Sequence, residues 1–160
     1  MAAYPETATP LLALAQAVLR GPSPLSEGER ELLAVAVSVQ NDCAFCSKSH
    51  AAAARILLGP RAHWIDAILA RELPDDFPPK LEALLGLALS VGRSGHEVDS
   101  EIVTAARTAG ATDKEIHDAV LVAATFSLYN RYVDGLGAPE PADSAAYASM
   151  GQRLVRNGYI

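Results

Sequence analysis

Apolar residues recur at spacings of three and four along most of this 160-residue chain, and Ala and Leu are prominent among them. That spacing places apolar side chains on one face of an α-helix, whereas a β-strand alternates apolar and polar residues. Half of the residues are hydrophobic, so a chain of this length can bury one substantial core. The sequence therefore predicts an all-α fold, a helical bundle that forms a single domain over residues 1–160.

Glycine and proline clusters divide the helical pattern into segments. Two segments begin with a capping box, in which a hydroxyl residue is followed three positions later by glutamate: Ser26 with Glu29, and Thr112 with Glu115. The predicted helices are Thr7–Arg20, the segment from Ser26 to Gln40, Cys43–Leu58, Arg61–Leu73, Pro79–Val91, Ser100–Thr108, Asp113–Gly135 and Ala142–Arg156.

The formal net charge is −6 at pH 7, and the lysine and arginine residues are scattered. Without a basic stripe, we expect neither nucleic acid nor a membrane surface as a partner. The first residues lack a basic segment followed by an apolar stretch, and no window has the roughly 18 consecutive apolar residues of a membrane span. We therefore expect a soluble, cytoplasmic protein.

The chain has only two cysteines, Cys43 and Cys46, and His50 follows Cys46 by four positions. A close pair of this kind in an intracellular protein is usually redox-active or metal-binding. Helical offsets of three, four and seven bring both sulfurs and the imidazole to one face. Asn41 and Asp42 are candidate N-caps, so both cysteines are expected in the first turns of a helix. There the helix dipole lowers the pKa of a thiol below its free value of about 8.5.

Sulfur attacks as the thiolate, and the imidazole of His50 lies one helical turn from Cys46 and two from Cys43. We therefore expect His50 to accept the proton of Cys46, with Cys46 as the nucleophile and Cys43 as the resolving thiol. The opposite assignment stays open, since Cys43 is nearer the helix terminus and the first cysteine attacks in thioredoxin-type proteins.

Glu31 is the residue expected to orient His50. It lies among apolar residues in the second predicted helix, and an antiparallel hairpin of the second and third helices would bring it to the cysteines. A buried carboxylate there would hydrogen-bond His50 and fix its tautomer. Ser38 shares that helix face and either hydrogen-bonds behind these residues or bonds back to the preceding turn.

Polar and aromatic residues late in the long seventh helix are assigned structural roles. Phe126 and Tyr129 stand at helical spacing, as aromatics of a core or a subunit interface do. Asn130 and Arg131 interrupt an apolar stretch and must reach solvent or find polar partners.

Glu31, followed twelve positions later by Cys43-x-x-Cys46-x-x-x-His50, resembles the core of the alkylhydroperoxidase D and carboxymuconolactone decarboxylase family. Two later stretches look like the uncharacterised peroxidase-related branch of that family, Ala109–Ile116 and Tyr129–Gly137. The decarboxylase members lack the cysteine pair, so the resemblance argues against lactone decarboxylation.

The resemblance, which extends from about Leu25 to Gly137, implies an alkylhydroperoxidase D-like helical domain that assembles into homo-oligomers, often trimers or hexamers. It implies that one cysteine reduces a hydroperoxide and then forms a disulfide with the other. Neither a cofactor nor a metal is expected. The proton relay and the redox chemistry are carried, by that similarity, by Glu31, Cys43, Cys46 and His50.

We therefore predict a thiol-dependent peroxidase that reduces alkyl or hydrogen peroxides and is restored by a dithiol or protein reductant. Phe45 stands where the mycobacterial alkylhydroperoxidase has a histidine, which keeps open a thiol-disulfide oxidoreductase without peroxidase activity. A zinc site formed by both thiolates, His50 and Glu31 is a further alternative. The last alternative is a non-catalytic helical scaffold whose thiols are buried core residues.

Overall fold

The computed structural model describes residues 4–160, and in that range all regular secondary structure is helical, which confirms the all-α prediction. The α-helices are α1 (Pro5–Arg20), α2 (Glu27–Gln40), α3 (Ala44–Leu58), α4 (His63–Leu69), α5 (Pro79–Arg93), α6 (Ser100–Thr108), α7 (Asp113–Gly135) and α8 (Ser144–Asn157). Short 3₁₀ turns precede α4 and α6, at Gly59–Arg61 and Gly95–Glu97. None of the helices described is both long enough and apolar enough to cross a membrane.

Side-chain caps begin four of the helices, α2, α6, α7 and α8. Both predicted capping boxes are present: Ser26 and Glu29 begin α2, and Thr112 and Glu115 begin α7. In each, the hydroxyl oxygen accepts from the glutamate amide while the carboxylate accepts from the capping residue's amide, so two otherwise unpaired amides are satisfied. The bounds of α6 and α7 are the predicted ones, and the other helices except α4 differ by at most two residues.

Helix α4 ends four residues before the predicted Leu73, because Arg71 leaves the helical conformation. Arg71 has a φ of 63°, which lies in the left-handed region. Its guanidinium donates to the carbonyl oxygen of Val39 at 2.9 Å and to the carboxylate of Asp42 at 2.6 Å. The side chain that would have continued α4 is therefore held against the end of α2, where carbonyl groups lack partners within the helix.

Helix α2 is the central element of the fold. All residues from Arg30 to Ser38 are buried, and the helix packs against α3, α5 and α7. It forms an antiparallel hairpin with α3, in which Gly28 lies against Leu58: a Cβ atom at Gly28 would be 3.1 Å from the Leu58 side chain. The predicted hairpin is thus present, and it turns the Glu31 side of α2 toward α3.

Helix α8 packs on the outer face of α3 at backbone distance. A Cβ atom at Gly151 would lie 2.7 Å from the carbonyl carbon of Ala52, closer than real contacts allow. Only glycine permits this approach, because it has no side chain to separate the two helix backbones. The close packing of α8 determines where the residues that follow it reach the site.

We expect Gly151→Ala to lower the free energy of unfolding by about 1–3 kcal/mol, since the added methyl group must push α8 away from α3. The matched control is Gly86→Ala in α5, where a Cβ atom meets nothing within 4 Å. That change should be neutral or stabilise by up to about 1 kcal/mol through helix propensity. Chemical denaturation measures both variants, and equal effects of the two would contradict the packing account.

Candidate functional site

The two cysteines stand at the start of α3, although not as predicted. Helix α3 begins at Ala44, and Cys43 is its N-cap residue with an extended backbone (φ −80°, ψ 94°). The prediction that Asn41 or Asp42 caps the helix is wrong, because Asn41 ends α2 and Asp42 occupies a left-handed turn with φ 57°. Cys46 lies in the first turn. Both thiols are free and buried, with 1% of Cys43 and 4% of Cys46 exposed.

Burial decides the acidity of this pair, and the expected lowering of the thiol pKa is wrong. Burial raises the pKa of Cys43, and the Cys46 side chain and the Asp134 carboxylate raise it further, while the backbone of Cys46 acts in the opposite direction. Burial also raises the pKa of Cys46, but its interactions with Cys43 and Asn130 act in the opposite direction by favouring the thiolate. Removing the thiolate from water costs more free energy than the N-terminus of α3 contributes by stabilising the negative charge. Two side chains favour the Cys46 thiolate, whereas only the backbone of Cys46 favours that of Cys43.

The predicted contact between Glu31 and His50 is present. His50 Nδ1 lies 2.7 Å from Glu31 Oε2, and both side chains are buried. An ionised carboxylate can only accept a hydrogen bond, so the proton of this contact belongs to Nδ1. The neutral imidazole then carries no proton on Nε2, which is the state that a general base requires.

The second oxygen of Glu31 binds two residues that the sequence analysis missed. Oε1 accepts from Arg20 Nη2 at 2.6 Å and from the Tyr159 hydroxyl at 2.7 Å. Burial alone would raise the pKa of Glu31, which is 0% exposed, but His50, Arg20 and Tyr159 together lower it. Glu31 is therefore held as a carboxylate in the interior by donors from three other parts of the chain.

A cavity of about 110 Å³ opens beside these residues. Cys46 and His50 lie in its wall, whereas Cys43 does not line it. The remaining wall is mostly apolar, and it includes Phe45, Phe126 and Tyr129. The His50 ring also stands edge-on to Phe126, with ring centroids 4.5 Å apart. Phe126 and Tyr129, which were assigned to a core or a subunit interface, thus line the site as well.

A second polar cluster lies behind the cysteines. Asn130 is buried in α7 and donates from Nδ2 to Ser38 Oγ at 3.0 Å. Asn41 donates to Asn130 Oδ1 at 2.9 Å, which fixes the orientation of the amide. Ser38 therefore bonds to Asn130 rather than to Glu31 or His50. The polar partners that the sequence required for Asn130 are present, and its amide, together with Cys43, favours the Cys46 thiolate.

The zinc alternative requires several ligands around one point. Across residues 4–160, no group of three or more His, Cys, Asp or Glu residues is arranged to hold a metal ion. His50 Nδ1 is instead occupied by its hydrogen bond to Glu31.

The protein is thus a helical thiol protein: its fold is all-α, and a buried pair of thiols lies beside a histidine that is hydrogen-bonded to a glutamate. Residues 5–90, more than half of the chain, match the model of the carboxymuconolactone decarboxylase family. This chain therefore belongs to that family. No curated protein matches it.

Solved structures show the same fold over most of the chain. An uncharacterised peroxidase-related protein from Ralstonia eutropha JMP134, described as an alkylhydroperoxidase AhpD core, has 30% identity and a TM-score of 0.82 over 92% of this chain and 76% of its own. A peroxidase-related protein from Silicibacter sp. TM1040 has 26% identity and a TM-score of 0.77 over 89% and 73%. A protein of unknown function from Agrobacterium tumefaciens has 24% identity and a TM-score of 0.76 over 88% and 94%, and it supports the fold alone.

We expect Glu31→Gln to remove a component of stability that depends on pH. The folded-state pKa of Glu31 lies below its ordinary value of 4.5, so its contribution is present above that pH and is lost as the pH falls through the folded-state pKa. At neutral pH the variant should lose roughly 3 kcal/mol, because Arg20 loses its buried counter-charge.

Free energies of unfolding measured across the acid range test this prediction. Below the ordinary pKa, wild type should lose stability more steeply than the variant. Glu101→Gln, which changes an exposed carboxylate in α6, is the control and should follow wild type. Parallel curves for wild type and Glu31→Gln would contradict the role of the ionised carboxylate.

Proposed function

We propose that this protein is a thiol-dependent peroxidase that reduces alkyl or hydrogen peroxides with Cys46. The observation that carries the proposal is that Cys46 and His50 line one cavity while Glu31 holds the histidine proton on Nδ1. A thiol and a base that face the same space, with the base oriented by a third group, form the arrangement of an activated nucleophile. Membership of the family and the likeness to peroxidase-related proteins support the same conclusion.

The attack begins from a protonated thiol, since burial raises the pKa of Cys46. His50 Nε2 takes the proton as the sulfur attacks the terminal oxygen of the hydroperoxide. A sulfur–oxygen bond forms and the oxygen–oxygen bond breaks, leaving a sulfenic acid on Cys46 and an alkoxide. The imidazolium, stabilised by the Glu31 carboxylate, returns the proton to the alkoxide, and the alcohol departs.

Cys43 then resolves the sulfenic acid. Its thiol condenses with the sulfenic acid of Cys46, which forms the disulfide and releases water. Two electrons have passed from the thiol pair to the peroxide, and an external dithiol or protein reductant restores the pair by exchange. Cys43 suits this role because it interacts with Cys46 but lies outside the cavity wall. The cycle requires no bound cofactor.

We expect one equivalent of tert-butyl hydroperoxide to convert the reduced wild type to a form that has lost both free thiols and gained an intramolecular disulfide. Cys43→Ser should instead retain a sulfenic acid on Cys46 that dimedone traps, because no resolving thiol is present. Cys46→Ser is the matched control and should react far more slowly. Mass spectrometry measures the free thiols, the disulfide and the dimedone adduct in all three proteins. Persistence of both thiols in wild type would reject the proposal.

A second candidate function keeps the thiol pair without the peroxide. Phe45, which lies between the cysteines, gives the cavity an apolar wall next to Cys46 and supplies no proton donor there. A thiol-disulfide oxidoreductase needs only the pair and its base. Insulin reduction and hydroperoxide consumption, followed in the same sample with dithiothreitol as reductant, separate the two functions: disulfide exchange without peroxide loss favours the second.

We also propose that the protein forms a homo-oligomer, a trimer or a hexamer. Leu121 and Leu128 are exposed on one face of α7, seven positions apart, as residues of a subunit contact would be. We expect light scattering to report several chains for wild type and a smaller mass for Leu128→Lys. The control is Leu136→Lys, at the exposed end of α7, which should keep the wild-type mass. A monomeric wild type would contradict this proposal.

A further inference from the structure

The segment after α8 folds back onto α1 and enters the site. Gly158 turns the chain with a φ of 72°, and its amide donates to the Leu154 carbonyl oxygen. The next amide, of Tyr159, donates to Gln16 Oε1 at 2.8 Å. A Cβ atom at Gly158 would lie 2.3 Å from that same oxygen. The positive φ favours glycine, and an added Cβ atom would also displace the Gln16 amide that accepts from the Tyr159 amide.

This path brings the Tyr159 side chain between three charged or titratable groups. Its hydroxyl lies 2.7 Å from Glu31 Oε1 and 3.2 Å from His50 Nδ1. The phenol ring is nearly parallel to the His50 ring, with an angle of 14° between the planes. On the other side, the Arg20 guanidinium lies 5.2 Å from the ring centroid, within the range of a cation–π contact.

We propose that Tyr159 is a positioning residue of the thiol site, whose hydroxyl holds the Glu31 carboxylate in the orientation that keeps the His50 proton on Nδ1. The inference rests on the proposed function in that it takes Cys46 as the reacting sulfur. Residue 159 lies outside the stretch that matches the family model and more than a hundred residues from the cysteines.

The chemistry of the donors explains why a phenol suits this position. Burial and the neighbouring Glu31 raise the pKa of Tyr159 well above its ordinary value, so the hydroxyl stays protonated and can donate. Arg20 supplies charge to the same oxygen, but its Nε also lies 3.4 Å from Glu27, so it is shared between two carboxylates. Tyr159 is thus the neutral donor that completes the shell around Glu31 Oε1. Without it, Glu31 has one donor fewer to fix its rotamer.

The test compares Tyr159→Phe with the parent protein. Both carry Cys43→Ser, so that Cys46 is the only thiol that can be alkylated. Phenylalanine keeps the ring against His50 and Arg20 and removes only the hydroxyl. The rate of Cys46 alkylation by iodoacetamide is measured from about pH 5 to pH 10, because this rate follows the thiolate. The charged and titratable groups that face the site are Arg20 from α1, Glu31 from α2, His50 from α3, Asp134 from α7 and Tyr147 from α8, and none of them is altered.

We expect Tyr159→Phe to alkylate about tenfold more slowly at neutral pH, the effect of one hydrogen bond to a charged group. Its pH profile should shift to higher pH and meet the parent profile at high pH, where the thiol ionises without its base. Tyr132→Phe in α7 is the matched control and should superimpose on the parent. Gly158→Ala keeps the phenol but displaces the segment, and it should reproduce the shift if Tyr159→Phe fails to fold.

Three results would overturn the inference: a Tyr159→Phe profile identical to the parent, a shift to lower pH, or a change by the same factor at every pH. The last is what a purely structural loosening would produce. The proposed function is read separately, by consumption of tert-butyl hydroperoxide by the unmutated protein. If the alkylation shift is found and no peroxide is consumed, the positioning role of Tyr159 stands and the peroxidase proposal fails.

Discussion

The organisation of this protein depends on one buried negative charge. Glu31 is fully enclosed on the central helix, and a carboxylate in that environment persists only if hydrogen bonds replace the water it has lost. Its partners are Arg20 at the end of α1, His50 in α3 and Tyr159 after α8. One ion therefore connects four segments of the chain, and the imidazole that faces the cavity takes its orientation from it.

The thiols have to satisfy two opposing requirements. Burial protects sulfur from indiscriminate oxidation and exchange, but it raises the pKa of both cysteines and so reduces the thiolate available for attack. In the proposed mechanism a base in the same cavity resolves the conflict, since it removes the proton only as the new bond forms. The amide of Asn130 also favours the Cys46 thiolate. The sulfur proposed to react is thus distinguished from its partner by the cavity that it shares with His50 rather than by its position in the motif.

Sequence periodicity was sufficient for the fold and for half of the candidate site. The capping boxes and the glycine and proline clusters act through neighbouring residues, so the bounds of α6 and α7 could be predicted, as could the contact between Glu31 and His50 across a short hairpin. Arg20 and Tyr159 could not, because nothing local distinguishes them from an arginine at a helix end and an aromatic after a helix. The pKa of the cysteines was mispredicted for the same reason: burial is created by α7 and α8, which pack on α3 from far along the chain.

The hydrogen bond between Tyr159 and Glu31 spans 128 positions in sequence. Closing so large a loop has an entropic cost that the contact itself cannot offset, so the remaining helices must already be docked when it forms. Assembly of the carboxylate cluster should accordingly be among the last events of folding. Opening of this segment should need less free energy than global unfolding, and hydrogen exchange at the Tyr159 amide would report it. The sulfur chemistry proposed for this molecule would then become possible only once the native state is complete.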